Sequence, residues 1–214
     1  FVVENHYLKD IVEKIQFDSF YHEHLRTYSL KSLIKLLNYY KLNIVDAYTT
    51  ERYNGNIQAH FSKNKYLKNN KNIKVILKNE EKAKLDNPLT YQIFSNKVEK
   101  AKKELFTFLN KNPKALIVGK SYPARASVIL NYFSFLKDKL KFIAEQPTSL
   151  KLNNYIAGTS IKIVDSKILS KTKPDIIIIF AWHLFKEIKN KWKAKGLPKK
   201  TKYVLLLPKF KIFK

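Results

Sequence analysis

The chain has 214 residues, 45% of them hydrophobic, which suffices for a core in one large or two small domains and excludes disorder as its main description. Its 42 Lys and Arg residues against 17 acidic ones give a formal charge of +25, which ordinarily points toward nucleic acid or an anionic surface. Only Arg26, Arg52 and Arg125 are arginine, however, and the lysines run from end to end, so a solvated Lys-rich surface is the expected reading and nucleic-acid binding the lesser one. The lack of cysteine excludes disulfides, thiolate zinc sites and a Cys nucleophile. The longest apolar run, Ile176 to Trp182, falls far short of the roughly 20 residues of a membrane-spanning helix, so a soluble, cytoplasmic protein is expected. With Phe1 in first place and no methionine at all, a fragment or processed product is expected too.

Phe1 to Glu4 reads as a strand, followed by a polar turn at Asn5-His6. From Ser29, a good N-cap, Leu30, Leu33, Ile34, Leu37 and Tyr40 repeat at helical spacing. Ile44 to Thr50 and Ile57 to Phe61 flank Arg52-Tyr53-Asn54-Gly55-Asn56, and the Asn-Gly pair predicts an antiparallel hairpin. Residues 63–72 read as a Lys/Asn-rich loop and 73–84 as a helix. Asp86-Asn87-Pro88 opens a long amphipathic helix through Tyr91, Phe94, Val98, Ala101, Leu105 and Leu109, which Asn112-Pro113 ends.

Beyond Pro113 short apolar strands alternate with helices. Strands are expected at Ala115–Val118, Lys141–Ala144, Ile161–Val164, Asp175–Phe180 and Tyr203–Leu207. A turn is expected at Gly119–Pro123, helices at Ala124–Phe135 and Leu184–Trp192, and a polar loop at Glu145–Gly158. Unbroken apolar strands in this alternation predict an α/β fold with a parallel sheet covered on both faces.

Three constellations could carry chemistry. In Phe17-Asp18-Ser19-Phe20-Tyr21-His22-Glu23-His24 two histidines, a carboxylate and a phenol crowd together. A helix would put Tyr21 and His24 on one face, whereas an extended chain would pair Tyr21 with Glu23 and His22 with His24. Either geometry gives a general-base imidazole a polar neighbour that tunes it. A structural hydrogen-bonded cluster is the competing reading, and the segment lacks the His-Glu-x-x-His spacing of helical zinc sites, so no metal is expected here.

Gly119-Lys120-Ser121-Tyr122-Pro123-Ala124-Arg125-Ala126 stands between a strand and a helix. Lys114, Ser121 and Ala124 occupy places where a P-loop or a dinucleotide fingerprint needs glycine. What remains is a glycine turn into a helix N-terminus with Lys120, Ser121 and Arg125 nearby, suited to a phosphate, and Glu145 at the next strand end to accept from a sugar hydroxyl. A tight turn with solvated lysine is the plain alternative. Phe180-Ala181-Trp182-His183 ends the Ile-rich strand, where Trp182 is expected in the core and His183 could line a pocket. His6 and His60 read as ordinary.

These segments, in this order, resemble the sugar C-methyltransferases of deoxysugar biosynthesis. Phe17 to His24, followed by Tyr28-Ser29-Leu30, is similar to that family's Phe-Asp-x-Ile-Tyr-His-Glu-His run and Tyr-Ser-Leu helix start. Tyr122-Pro123-Ala124-Arg125-Ala126 through Leu130-Asn131-Tyr132 resembles its Ala-Pro-Ala-Lys segment, and Pro174-Asp175 through Ala181-Trp182 its Pro-Asp…Ala-Trp strand. The family's Gly-Gly-Ser-Leu-Arg hairpin is Asn54-Gly55-Asn56-Ile57-Gln58 here, its Lys is Arg125, and its Asp after the second strand is Glu145.

The resemblance implies that residues 1–85 are the later part of a Rossmann-type methyltransferase domain, 86–112 a connecting helix and 113–214 a Rossmann-like C-terminal domain. It implies S-adenosylmethionine as cofactor, bound by a glycine-rich loop expected before Phe1, with zinc confined to a further upstream domain. The implied substrate is a nucleotide-linked keto-deoxysugar, methylated next to its ketone. His24 is then the base, with Tyr21 and Glu23 beside it, and Gly119, Ser121, Arg125, Asn131 and Glu145 are the substrate-binding residues. A non-catalytic nucleotide-sugar-binding relative and a Lys-rich nucleic-acid binder are the alternatives.

Overall fold

The computed structural model describes residues 1–67, 70–193 and 200–213, with backbone alone for 191–193. Residues 68–69 of the expected loop and the side chain of Trp192 lie outside the described part. The chain forms two compact units, Phe1–Val98 and Glu99–Lys214.

The first unit runs β1 (Val2–His6), α1 (Leu8–Glu13), α2 (Leu30–Tyr39), β2 (Asn43–Thr50), β3 (Asn56–Ser62), α3 (Lys71–Lys82) and the start of α4 (Pro88–Asn110). Its antiparallel sheet has the order β1-β3-β2. The expected hairpin is present: Ile57, Ala59 and Phe61 alternate into the core, where Leu30, Leu33 and Leu37 of α2 and Ile73 and Ile76 of α3 meet them. Ser29 caps α2 in a reciprocal box with Ser32. Glu80 of α3 adds to that cap, its carboxylate accepting the N–H of Leu30 at 2.5 Å and of Lys31 at 3.1 Å. Where a polar turn was expected at Asn5-His6, β1 continues, with His6 opposite Asn56. The amides of β3 across the sheet decide that extension, not the local polarity of the two residues. At the hairpin tip Gly55 has φ 136°, and an added Cβ would run into Asp10, so glycine is required there.

The second unit continues α4 and adds β4 (Ile117–Lys120), α5 (Ala126–Tyr132), α6 (Leu136–Lys139), β5 (Phe142–Glu145), β6 (Lys162–Asp165), α7 (Ile168–Thr172), β7 (Ile176–Ile179), α8 (Phe185–Lys193), β8 (Lys202–Leu205) and β9 (Lys211–Phe213). Six strands in the order β6-β5-β4-β7-β8-β9 form one sheet, parallel except for β9, which returns antiparallel on β8. This is a Rossmann-like α/β fold: the chain winds outward from β4 to β6, then crosses back to β7, so the order reverses between β4 and β7. Ile176 to Ile179 are all buried, as the unbroken apolar run requires of a strand covered on both faces.

Three expectations need correction. Gly119 and Lys120 belong to β4 rather than to a turn. The helix expected over Ala124–Phe135 is shorter, α5 at Ala126–Tyr132, because Phe133 leaves helical geometry, fully buried, and stacks on Phe135 with ring centroids 6.2 Å apart; α6 begins only beyond it, at Leu136. The expected strands end with Tyr203–Leu207, whereas β9 follows and pairs antiparallel with β8.

Candidate functional site

The segment from Phe17 to His24 is neither helix nor strand throughout. Phe17–Ser19 make a buried 3-10 turn that anchors its start. Its end is tied back by a bridge between Tyr7 and Tyr28 and by the Leu8 N–H donating to the Tyr28 carbonyl at 3.1 Å. Between these anchors the chain turns, and the His24 N–H donates to the Tyr21 carbonyl at 2.8 Å.

This turn brings Tyr21, Glu23 and His24 together. The Tyr21 hydroxyl donates to a Glu23 carboxylate oxygen at 3.2 Å, and the Tyr21 ring meets His24 edge-on with centroids 4.9 Å apart. Tyr21 and His24 are half-buried while His22 and Glu23 are exposed. Both pairings that helix and strand would have offered separately, Tyr21 with His24 and Tyr21 with Glu23, coexist because a turn compresses four residues. A half-buried imidazole with a phenol at its edge and a carboxylate one step further is equipped to take a proton from a carbon acid. Among the described residues no group of three or more His, Asp or Glu side chains could hold a metal ion.

Sequence reasoning missed one member. His6, at the end of β1, lies ring to ring with His24, centroids 4.2 Å apart and planes at 34°, and 6.0 Å from the Tyr53 ring. No spacing rule links residues 6 and 24. The signal that could have found it is the continuation of β1 past Glu4, which sets His6 beside the Tyr7–Tyr28 bridge.

The hairpin behind β1 carries a polar network. Glu4 accepts from Asn56 at 2.9 Å and from Gln58 at 3.4 Å, and Arg52 approaches it at 3.7 Å, so the Asn56 bond foremost holds its carboxyl below the ordinary value. Arg52 also lies over the Tyr53 ring, 5.1 Å from its centroid.

In the second unit, the segments after β4 and β7 meet at the reversal point, on the carboxyl side of the sheet where open α/β folds place ligands. Ser121 follows β4 with φ 61° and donates its N–H to the Ala144 carbonyl at 3.0 Å. Glu145 accepts the Tyr122 N–H at 2.5 Å, so part of its acceptor capacity holds the loop. Arg125 is buried and lies over Trp182, 5.5 Å from the ring centroid. His183 is beside them: burial first, and then the Arg125 charge, hold its imidazole below the ordinary value, and its Nδ1 is buried with no hydrogen-bond partner among the described residues. Lys120 is buried as well.

Two details differ from the sequence reading. The amides of Ala126, Ser127 and Val128 donate to the carbonyls of Pro123, Ala124 and Arg125, so these first N–H groups of α5 are already engaged and the helix end is no open anion cradle. Gly119 serves packing: an added Cβ would come within 2.7 Å of Ile143 Cγ1 and 2.8 Å of Phe180 Cε2. Trp182 is buried in the core as expected. Asn131 is exposed on α5, its side-chain oxygen accepting from Lys137 at 2.8 Å.

The profile of the C-methyltransferase C-terminal domain matches residues 53–208, which contain the whole β4–β7 crevice. The chain belongs to that family. Tyr21, Glu23 and His24 precede the matched region of this C-methyltransferase C-terminal domain protein. It is also similar to the C-methyltransferase NovU of Streptomyces niveus, 25% identical over 194 residues, which is 88% of this chain and 45% of that relative. It therefore spans less than half the length of the curated relative it matches. No described helix is long and apolar enough to cross a membrane.

Proposed function

We propose that this chain is the substrate-handling part of an S-adenosylmethionine-dependent C-methyltransferase acting on a nucleotide-linked 4-keto-deoxysugar. The observation that carries the reading is the gathering of Tyr21, Glu23 and His24 in one turn, within a chain of the C-methyltransferase C-terminal domain family.

A ketone at C4 acidifies the neighbouring C3–H. A ring nitrogen of His24 takes that proton, the C–H bonding pair moves into the C3–C4 bond, and the carbonyl pair comes to rest on oxygen as an enolate. Glu23 and Tyr21 orient the sugar hydroxyls or relay the proton. Ser121, Arg125, Glu145 and Asn131 are assigned to nucleotide-sugar binding within the second unit, with Arg125 supplying positive charge to the diphosphate and Gly119 allowing Ile143 and Phe180 to pack closely.

The donor supplies an electrophilic methyl group for the nucleophilic carbon. Among the described residues no glycine forms a cradle for it: Gly55 closes a hairpin, Gly119 is confined within β4 and Gly158 lies in a separate turn. Donor binding is accordingly assigned to residues other than these, and the chain's own share is proton abstraction and nucleotide-sugar binding.

That share is testable without the donor. In D₂O the chain should exchange the C3 proton of a nucleotide-linked 4-keto-6-deoxysugar, seen by NMR or mass spectrometry, and His24→Ala should stop exchange while sparing binding. Exchange at the parental rate in His24→Ala would remove His24 from the role, and absence of sugar-nucleotide binding by the parent would overturn the reading.

A further inference from the structure

We infer that His6 is a positioning residue for His24, the group that holds the base in its working orientation; the inference rests on the proposed role of His24. His24 sits on a turn outside regular structure, where an imidazole on one rotatable stem would sample several rotamers. A base must be held within a fraction of an ångström of its proton, and a misplacement of about 1 Å can cost as much as a hundredfold in rate.

The structure supplies two restraints of unequal rigidity. Tyr21 meets His24 edge-on at 4.9 Å but belongs to the same turn and moves with it. His6 lies against His24 at 4.2 Å from the end of β1, where the antiparallel register places it opposite Asn56. Its backbone is held further by the following residue, since the Tyr7 N–H donates to the Gly55 carbonyl at 3.2 Å. The sheet thus offers a fixed aromatic wall to a base carried on a loop. Tyr53, at the hairpin tip 6.0 Å from His6, stands beside that wall.

The wall predicts a separation of rate from binding. In protein that carries a functional donor site, His6→Ala should lower kcat about tenfold to a hundredfold with the sugar-nucleotide KM within twofold, and His6→Phe, which restores an aromatic face, should recover most of the loss. The second readout needs no turnover: His6→Ala should move the His24 Cε1–H resonance of this chain, because the ring beside it is gone, while the Cε1–H resonances of His60 and His183 stay in place. An unmoved His24 resonance, a parental kcat in His6→Ala, or a Phe variant as slow as the Ala variant would overturn the positioning role. His24→Ala separates the two ideas: if it turns over normally while the His24 resonance of the parent responds to His6→Ala, the base assignment fails and the ring contact stands.

Discussion

Arg125 lies over the indole of Trp182, 5.5 Å from its centroid, and so joins the segment after β4 to the segment after β7 at the point where the strand order reverses. The planar guanidinium can stack on the indole and still present its donors to a diphosphate, which a lysine ammonium does less well. Arg125→Lys is expected to weaken nucleotide-sugar binding by about tenfold and Arg125→Ala by more, measured by calorimetry.

Beside that pair, His183 is expected to make stability depend on pH. Burial and the Arg125 charge keep its folded imidazole below the value of 6.5 it has in the unfolded chain, with Glu187 opposing them. Below about pH 6.5 the unfolded chain binds a proton that the folded chain refuses, so stability falls with pH until folded His183 protonates too. Urea denaturation between pH 7.5 and pH 5 should show this loss, and His183→Gln should flatten the slope. An unchanged slope in the variant would refute the assignment.

Gly119 is confined between Ile143 and Phe180, with 2.7 Å and 2.8 Å available to a Cβ. Gly119→Ala is expected to destabilise by about 1–3 kcal/mol through overpacking. Adding Ile143→Ala removes the nearer obstruction, so the double variant should be more stable than the two single costs together imply, as a double-mutant cycle in urea would measure.

Glu80, only 4% exposed, caps α2 from α3. Glu80→Ala leaves the Leu30 amide buried without its acceptor and should cost about 2 kcal/mol in thermal or urea unfolding. Glu80→Gln keeps an acceptor oxygen and should cost less.

Tyr21→Phe removes the hydroxyl that donates to Glu23 in an exposed pair, so stability should change by less than about 0.5 kcal/mol. If Tyr21 orients the sugar, C3 proton exchange should nevertheless slow, by about tenfold on the scale of one lost hydrogen bond. Exchange at the parental rate would confine Tyr21 to a ring contact.

Local chemistry made much of the fold legible. Ser29 followed by apolar residues at helical spacing marked α2, Asn54-Gly55 between alternating strands marked the β2–β3 hairpin, and Ile176 to Ile179 marked a strand buried on both faces. The Tyr21, Glu23 and His24 group was visible because its members are within four residues and any compact conformation brings two of them together. Each of these signals is local in the chain, so it survives without knowledge of what packs against it.

Tertiary structure alone decided the rest. His6 meets His24 because β1 pairs with β3 while Tyr7 bridges to Tyr28, and neither pairing is encoded in the residues around position 6. Arg125 meets Trp182 and His183 because β7 inserts beside β4 rather than beyond β6, a choice of strand order made by long-range hydrogen bonds. Gly119, which the sequence suggested as a phosphate turn, became a packing residue once Ile143 and Phe180 closed on it. Composition and period determined the elements and the residue types able to do chemistry. The contacts that orient those residues come from segments distant in sequence, and only the folded chain brings them into reach.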